Sequence, residues 1–224
     1  MPQSSRQDLY LPTLQQLLAI SSTNVKTALT AASDIVGATF QADKVDCFLY
    51  DQECAMLIAV GTSTTPLGAK QQALGLDKLP HAAAGWDGIA FDTGRALLTG
   101  RADQEPAMVP GLPRDLGLRS MLIAPLSVHG ARRGTINVSS TRPELYTAAD
   151  LAILVTIAHW VGLTLHRAEL LEHVSAQSPA APSGPDAAAD LAQECARLRA
   201  ELDYWRATAD ALLLELQRWQ LAHD

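Results

Sequence analysis

Cysteine, aromatic side chains and positive charge are all scarce in this chain. Its 224 residues hold three cysteines, Cys47, Cys54 and Cys195. An odd, irregular set is no disulfide framework, and the gap of seven between the first two fits no common zinc spacing. They read as reduced thiols of an intracellular protein. Aromatic residues make up 5%, too few for the stacking platforms that hold single-stranded nucleic acid. Formal net charge is −7, whereas a phosphate backbone demands a clustered cationic face. The one tight basic cluster, Arg132-Arg133, reads as a solvated turn. Long hydrophobic runs are missing too. The longest, Leu151 to Leu165, is interrupted by Thr156, His159, Gly162 and Thr164, and it falls short of the roughly 20 residues a bilayer needs. Residues 1–30 carry no basic segment followed by an apolar block, so no secretory signal is read. These absences predict a soluble, cytoplasmic protein with neither nucleic acid nor membrane as partner.

Catalytic signatures are equally thin. No G-x-S-x-G, P-loop or H-E-x-x-H motif occurs. His159 and His166 fall two turns apart on one predicted helix without a third ligand nearby, so no metal site is expected. His81 and His129 fall in predicted loops. Glu53, Asp87, Asp92 and Asp103 form no evident acid/base pair and read as solvated or helix-capping carboxylates. The expectation is a non-enzymatic protein with no cofactor.

What is present is apolar patterning, with 48% hydrophobic residues, enough for one ordinary domain and an appendage. Residues 1–8 are polar and predicted disordered. From Leu9 to Phe40 the helical spacing of Leu14, Leu17 and Leu18, then of Ala28, Ala32, Ile35 and Val36, predicts two helices broken near Ser21–Asn24. Gly37 is placed at or near the end of the second. KVDCFLYD and CAMLIAVGTS, separated by Asp51-Gln52-Glu53, predict a β-hairpin. Residues 62–84 read as loop with one short helix around Lys70–Leu74. GWDGIAFDTGRALLTG reads as a turn, a short helix and a strand. RADQEPAMVPGLPRDLG, with three prolines, reads as a long loop. A second hairpin is predicted with strands Ser120–Val128 and Thr135–Ser139 and a turn at His129–Gly134. Thr147-Ala-Ala-Asp150 is a helix-start signal, opening a helix to about Val174. The first half of that helix is apolar on nearly every face, which predicts burial on more than one side.

Composition then shifts. SAQSPAAPSGPDAAA, over residues 175–189, is read as a linker. Beyond it Leu191, Cys195, Leu198, Leu202, Trp205, Ala209, Leu212, Leu216 and Trp219 are spaced alternately by four and three. This heptad seam, flanked by Glu194 and Glu201 against Arg199 and Arg206, predicts a coiled coil over residues 190–224.

Three stretches taken in order resemble the GAF domain family. GWDGIAFDTGRALLTGRADQEP is similar to the middle of such domains, through Gly85, Gly88, Thr93-Gly94 and Asp103. LRSMLIAPLSVHGARRGTINVSS resembles the family's hairpin, through Arg119-Ser120, Pro125-Leu126, Gly130 and Gly134. LYTAADLAILVTIAHWVGLTLHRAELLE resembles the closing helix. The resemblance implies a mixed α/β fold for residues 9–174. A central antiparallel sheet would carry helices on one face and a small-molecule pocket under loops on the other. It also implies a sensory role and a homodimer formed through the first and last helices. Trp86, Phe91, Arg101, Asp103 and Met121 are the expected pocket residues. The ligand is not identified, and the alternative is a dimerisation or partner-recruitment protein whose pocket is plugged by its own side chains. Several family chemistries lack their residues here. There is no N-K-x-F-D-E signature for cyclic nucleotides. Met108-Val109 stand where bilin-binding members place a cysteine. No histidine lies in Leu112–Leu118, where haem sensors place one. The turn in GWDGIAF has none of the cysteines that reduction of free methionine sulfoxide needs.

Overall fold

The computed structural model describes residues 10–176, together with Gln193, Ala196, Arg197, Arg199 and Ala200. The chain divides into two compact units, residues 1–175 and 176–224. In the second unit those five residues are helical and exposed. The heptad positions Leu191, Cys195, Leu198, Leu202, Trp205, Ala209, Leu212, Leu216 and Trp219 lie outside the described residues.

The first unit opens with α1 (Tyr10–Ala19) and α2 (Val25–Phe40). Asn24 caps α2 by accepting the Thr27 backbone N–H at 3.0 Å, which explains the break expected near Ser21–Asn24. Gly37 lies in the last turn of the helix, near its end as expected, facing the Val45 side chain, and its carbonyl accepts the Ala42 backbone N–H at 3.0 Å. Gln41 closes the helix in the left-handed conformation at φ 50°.

Strands β1 (Lys44–Asp51) and β2 (Met56–Thr62) form the first hairpin. Then come α3 (Pro66–Ala73), β3 (Lys78–Pro80), α4 (Trp86–Thr93), β4 (Leu97–Thr99) and α5 (Gly111–Asp115). Strands β5 (Ser120–Val128) and β6 (Ala131–Ser140) and the long helix α6 (Ala148–Ala176) complete the unit. The six strands make one antiparallel sheet in the order β3-β2-β1-β6-β5-β4. The three-residue β3 falls in a stretch read as loop. It is an edge strand ending in Pro80, too short to show alternation.

The β5–β6 turn is tighter than the sequence implies. His129 and Gly130 both have positive φ, 50° and 76°, the signature of a two-residue primed turn. Arg132 and Arg133 therefore belong to β6. Between Leu126 and Ser127 the register shifts, leaving Arg133 as the extra residue of a bulge. The bulge sends the two arginines to different elements. Arg132 donates to the Asp92 carbonyl at the end of α4, and Arg133 clamps Glu169 of α6 with bonds of 2.6 and 3.2 Å. The pair is a tie between layers, not a solvated turn.

Alternation gives the sheet two unlike faces. On one, Val45 and Cys47 of β1, Ile136 and Val138 of β6, and Leu122, Ala124 and Leu126 of β5 are wholly buried. Helices α2 and α6 cover this face. Gly61 of β2 lets α2 come close, since a Cβ there would lie 2.7 Å from the Leu29 carbonyl oxygen. Gly162 of α6 sits against the Ser127 carbonyl in the same way. Thr147 and Asp150 form the predicted reciprocal cap at the start of α6, at 2.8 and 3.3 Å. Leu154, Ile157, Ala158, Trp160, Val161, Leu165 and Ala168 of α6 are buried, while Ala152, Thr156 and His159 are exposed. Burying each large aliphatic side chain of this layer contributes ~1.5–3 kcal/mol.

Candidate functional site

The opposite face of the sheet is covered by α3, α4, α5 and their connections, and its centre is polar. Lys44 and Asp46 alternate with Val45 on β1, so both point to this side, and both are buried, at 1% and 0% exposure. Register places Lys44 beside Ser139 and Asp46 beside Asn137 of β6. Thr135 lies two residues earlier on the same face. Each strand thus presents a polar row with a period of two.

Two carboxylates organise these rows. Asp46 pairs with the Lys44 ammonium and accepts Thr62 Oγ1 at 3.0 Å and Gln71 Nε2 at 3.2 Å through one oxygen. Asp87, in the first turn of α4, accepts Thr135 Oγ1 at 2.7 Å and Asn137 Nδ2 at 3.0 Å. Carboxylates only accept, so both amide side chains must turn their nitrogens toward them. Their carbonyl oxygens, Gln71 Oε1 and Asn137 Oδ1, are left buried with no hydrogen-bond partner, as is Ser139 Oγ. A buried polar atom without a partner costs ~1–3 kcal/mol.

The electrostatics agree with that shortfall. Burial pulls Lys44 down from 10.5 to about 7, against the attraction of Asp87. Burial pushes the Asp87 carboxyl above its ordinary 3.8, although Thr135, Asn137 and Lys44 oppose the rise. Lost solvation thus outweighs the partners for both groups, in the opposite directions expected of a base and an acid.

Apolar clusters flank the polar centre. One holds Ala90, Met108, Leu112, Leu116, Leu118, Met121 and Ile123, with Trp86 and Leu97 packed against it. The other holds Phe48, Leu57, Ala59, Leu79 and Ala84, with Tyr50 and Phe91 against it. Val109 touches both. The structure thus brings Trp86 and Met121 together in one cluster and puts Phe91 in the other, 4.8 Å from the Tyr50 ring and 5.8 Å from the His81 ring. Arg101 and Asp103 join neither. Arg101 is exposed and donates to Glu144 at 3.0 Å, and Asp103 lies 3.8 Å from Arg119 at the surface. Asp87, read from sequence as a solvated or capping carboxylate, is buried at 1% exposure. Lys44, Asp46, Gln71, Thr135 and Asn137 were not singled out. The signal for them was the alternation Lys44-x-Asp46 and Thr135-x-Asn137-x-Ser139 inside otherwise apolar strands.

The two described thiols stand elsewhere. Cys47 points to the helix face, 3.5 Å from Ser33 Oγ, and burial pushes its thiol up to about 12. Cys54 is exposed in the β1–β2 turn. No group of three or more metal-ligating side chains occurs among the described residues.

A six-stranded antiparallel sheet with helices on one face and a loop-covered polar centre on the other defines a small mixed α/β domain. The chain belongs to the GAF domain family, whose model matches residues 22–166. Solved structures give the same fold. Free methionine-R-sulfoxide reductase from Neisseria meningitidis, in complex with its substrate, is 19% identical with a TM-score of 0.61, over 73% of this chain and 92% of that one. The GAF domain of an Acinetobacter phosphoenolpyruvate-protein phosphotransferase is 15% identical with a TM-score of 0.60, over 77% and 99%. A domain of a putative two-component sensor histidine kinase from Sinorhizobium meliloti 1021 is 17% identical with a TM-score of 0.52, over 68% and 96%. A search of curated proteins finds no match.

Proposed function

We propose that this chain is a non-enzymatic, cytoplasmic sensory module that binds a small molecule at the loop-side face of its sheet and signals through a helical dimer interface. The observation that carries this reading is the buried cluster of Lys44, Asp46 and Asp87 with three unpartnered polar atoms around it. A buried, charged and incompletely satisfied group of side chains works against folding, and such strain concentrates at functional sites. A ligand that supplies the missing hydrogen bonds relieves it.

The route outward is short. Strand β6 carries Thr135 and Asn137 on the ligand side and Arg133, bonded to Glu169 of α6, at its bulge. Helix α6 is in turn tied to the first two helices. Arg167 donates to the Leu18 carbonyl at 3.2 Å, and Glu172 accepts from Asn24 Nδ2 and the Val25 backbone N–H. Leu18 and Val174 leave large apolar side chains exposed on α1 and α6, which suits a homodimer joined through those helices. The positions of Cys47 and Cys54, one sealed against α2 and the other in a surface turn, favour binding over thiol chemistry.

A metabolite screen read by melting temperature tests the binding reading. A saturable rise supports it, because a ligand at a hundred times its dissociation constant adds about 2.7 kcal/mol. A screen in which no compound stabilises the chain contradicts it. The second reading is a dimerisation or recruitment protein with a plugged pocket. It is favoured by the packing of Met108, Leu112, Leu118 and Met121 on the same face. Deleting residues 190–224 and measuring mass by light scattering separates the roles of the tail. A truncated dimer leaves the tail free for another protein, and a truncated monomer makes the tail the dimeriser.

A further inference from the structure

The geometry points to a ligand that presents an N–H donor, as an ammonium, amidinium or amino-heterocycle group, to Gln71 Oε1 and Asn137 Oδ1. This rests on the binding reading above and specifies its chemistry. Both side chains are buried, at 0% and 2% exposure, and both carbonyls lack a partner. Their orientation is set by Asp46 and Asp87, because exchanging either amide's oxygen and nitrogen would aim a carbonyl at a carboxylate. The two amides flank Asp46: Gln71 bonds it, and Asn137 is its register partner on β6. What the two carbonyls lack is therefore a donor.

Charge selects the same class. Lys44 contributes at most +1, and Asp46 and Asp87 contribute −1 each, a sum no higher than −1 with Asp87 ionised and no higher than zero with it protonated. In neither state does the cluster offer the net positive charge that would draw a phosphate or carboxylate as its main anchor. Lys44 bonds Asp46, so its charge is already neutralised. A cationic or neutral N–H group restores hydrogen bonds to the orphaned carbonyls and adds favourable charge toward the two aspartates. The Met121 and Trp86 cluster on one side and the Phe48 cluster on the other offer apolar walls for the rest of the molecule.

The experiment uses the full chain and a matched panel read by melting temperature at constant ionic strength. Its members are methylammonium chloride, putrescine, adenine, cytosine and the twenty standard amino acids. The counterparts without the N–H donor are 1,4-butanediol, N6,N6,9-trimethyladenine and the 2-hydroxy acids of those amino acids whose side chains carry no nitrogen. Sodium phosphate, sodium acetate, potassium chloride and calcium chloride complete it. The expected result is a saturable rise of about 3 °C or more for at least one N–H member, absent with its counterpart. Stabilisation by the donor-free counterparts or by the anions would leave the binding reading standing and overturn this one. Stabilisation by potassium or calcium alone would overturn it in favour of a metal cation. Silence across the whole panel would count against both. For the compound that binds, Gln71→Met should weaken affinity tenfold or more in a chain whose circular dichroism is unchanged. Undiminished affinity in that folded variant would overturn the placement, and if the variant does not fold, Asn137→Ser, which removes the second carbonyl and keeps a hydroxyl donor, serves as the second probe with the same criterion.

Discussion

Replacing Asp87 by alanine removes the acceptor of two buried donors at once. Thr135 Oγ1, 2.7 Å away, and Asn137 Nδ2, 3.0 Å away, lose their partner. Each stranded donor costs ~1–3 kcal/mol, so Asp87→Ala should cost ~2–6 kcal/mol. Asp87→Asn keeps one acceptor and mismatches the other, for ~1–3 kcal/mol. With a urea slope of ~2 kcal/mol per molar, the midpoint of unfolding should fall by about 1–3 M for alanine and about half as much for asparagine. The pH dependence carries the sharper test. Burial raises the Asp87 carboxyl above its ordinary 3.8, so the native state holds this proton to a higher pH than the unfolded chain. The stability contributed by the group is full below pH 3.8 and is lost as pH rises through the native value. The alanine variant has no such loss. Its deficit against the natural chain should be largest near about pH 4 and narrow as pH rises. Urea unfolding at a series of pH values measures this. A deficit under ~0.5 kcal/mol would mean that the carboxylate is not the hub of the cluster. A deficit that widens with pH would mean that Lys44 holds Asp87 ionised against burial, contrary to the reasoning.

Lys44 should titrate near 7, so the 13Cε signal of Lys44 should move at a pH well below those of the other lysines; a midpoint above 10 would show its ammonium to be solvated. Gly134→Ala should destabilise by more than ~2 kcal/mol, because a Cβ there collides with the Phe48 carbonyl across the β1–β6 ladder. Gly130→Ala, at φ 76° with open space around it, should cost only about 1–2 kcal/mol; equal melting temperatures for the two variants would contradict the close approach. In a Cys195→Ser background, a thiol reagent should modify Cys54 in the folded chain and Cys47 only on unfolding, and modification of both at one rate would contradict the burial of Cys47.

Much of the frame was legible because local signals agreed with the tertiary outcome. KVDCFLYD became β1 with the boundaries its apolar run implied, and Thr147–Asp150 became a reciprocal cap. The failures share a cause, in that each depends on a partner far along the chain. Arg132 and Arg133 looked like a turn until the bulge gave them Asp92 and Glu169. The expected pocket residues divide along the same line. Trp86 and Met121, bulky and apolar, lie together in one cluster of the loop-side face. Arg101 and Asp103 were chosen for their charge and lie at the surface. A carboxylate in a loop is usually solvated or capping a helix, whereas Asp87 is held in the interior by Thr135 and Asn137, about fifty residues away, and by the charge of Lys44. The period-two polar rows of β1 and β6 are present in the sequence, masked by the apolar residues they alternate with.

A crystal structure of the full chain grown with the panel member that raises its melting temperature tests the central claim most directly. The account predicts that compound on the loop side of the sheet, with an N–H group within hydrogen-bond distance of Gln71 Oε1 and Asn137 Oδ1. Finding the compound elsewhere, with both carbonyl oxygens satisfied by neighbouring side chains or by water alone, would contradict it.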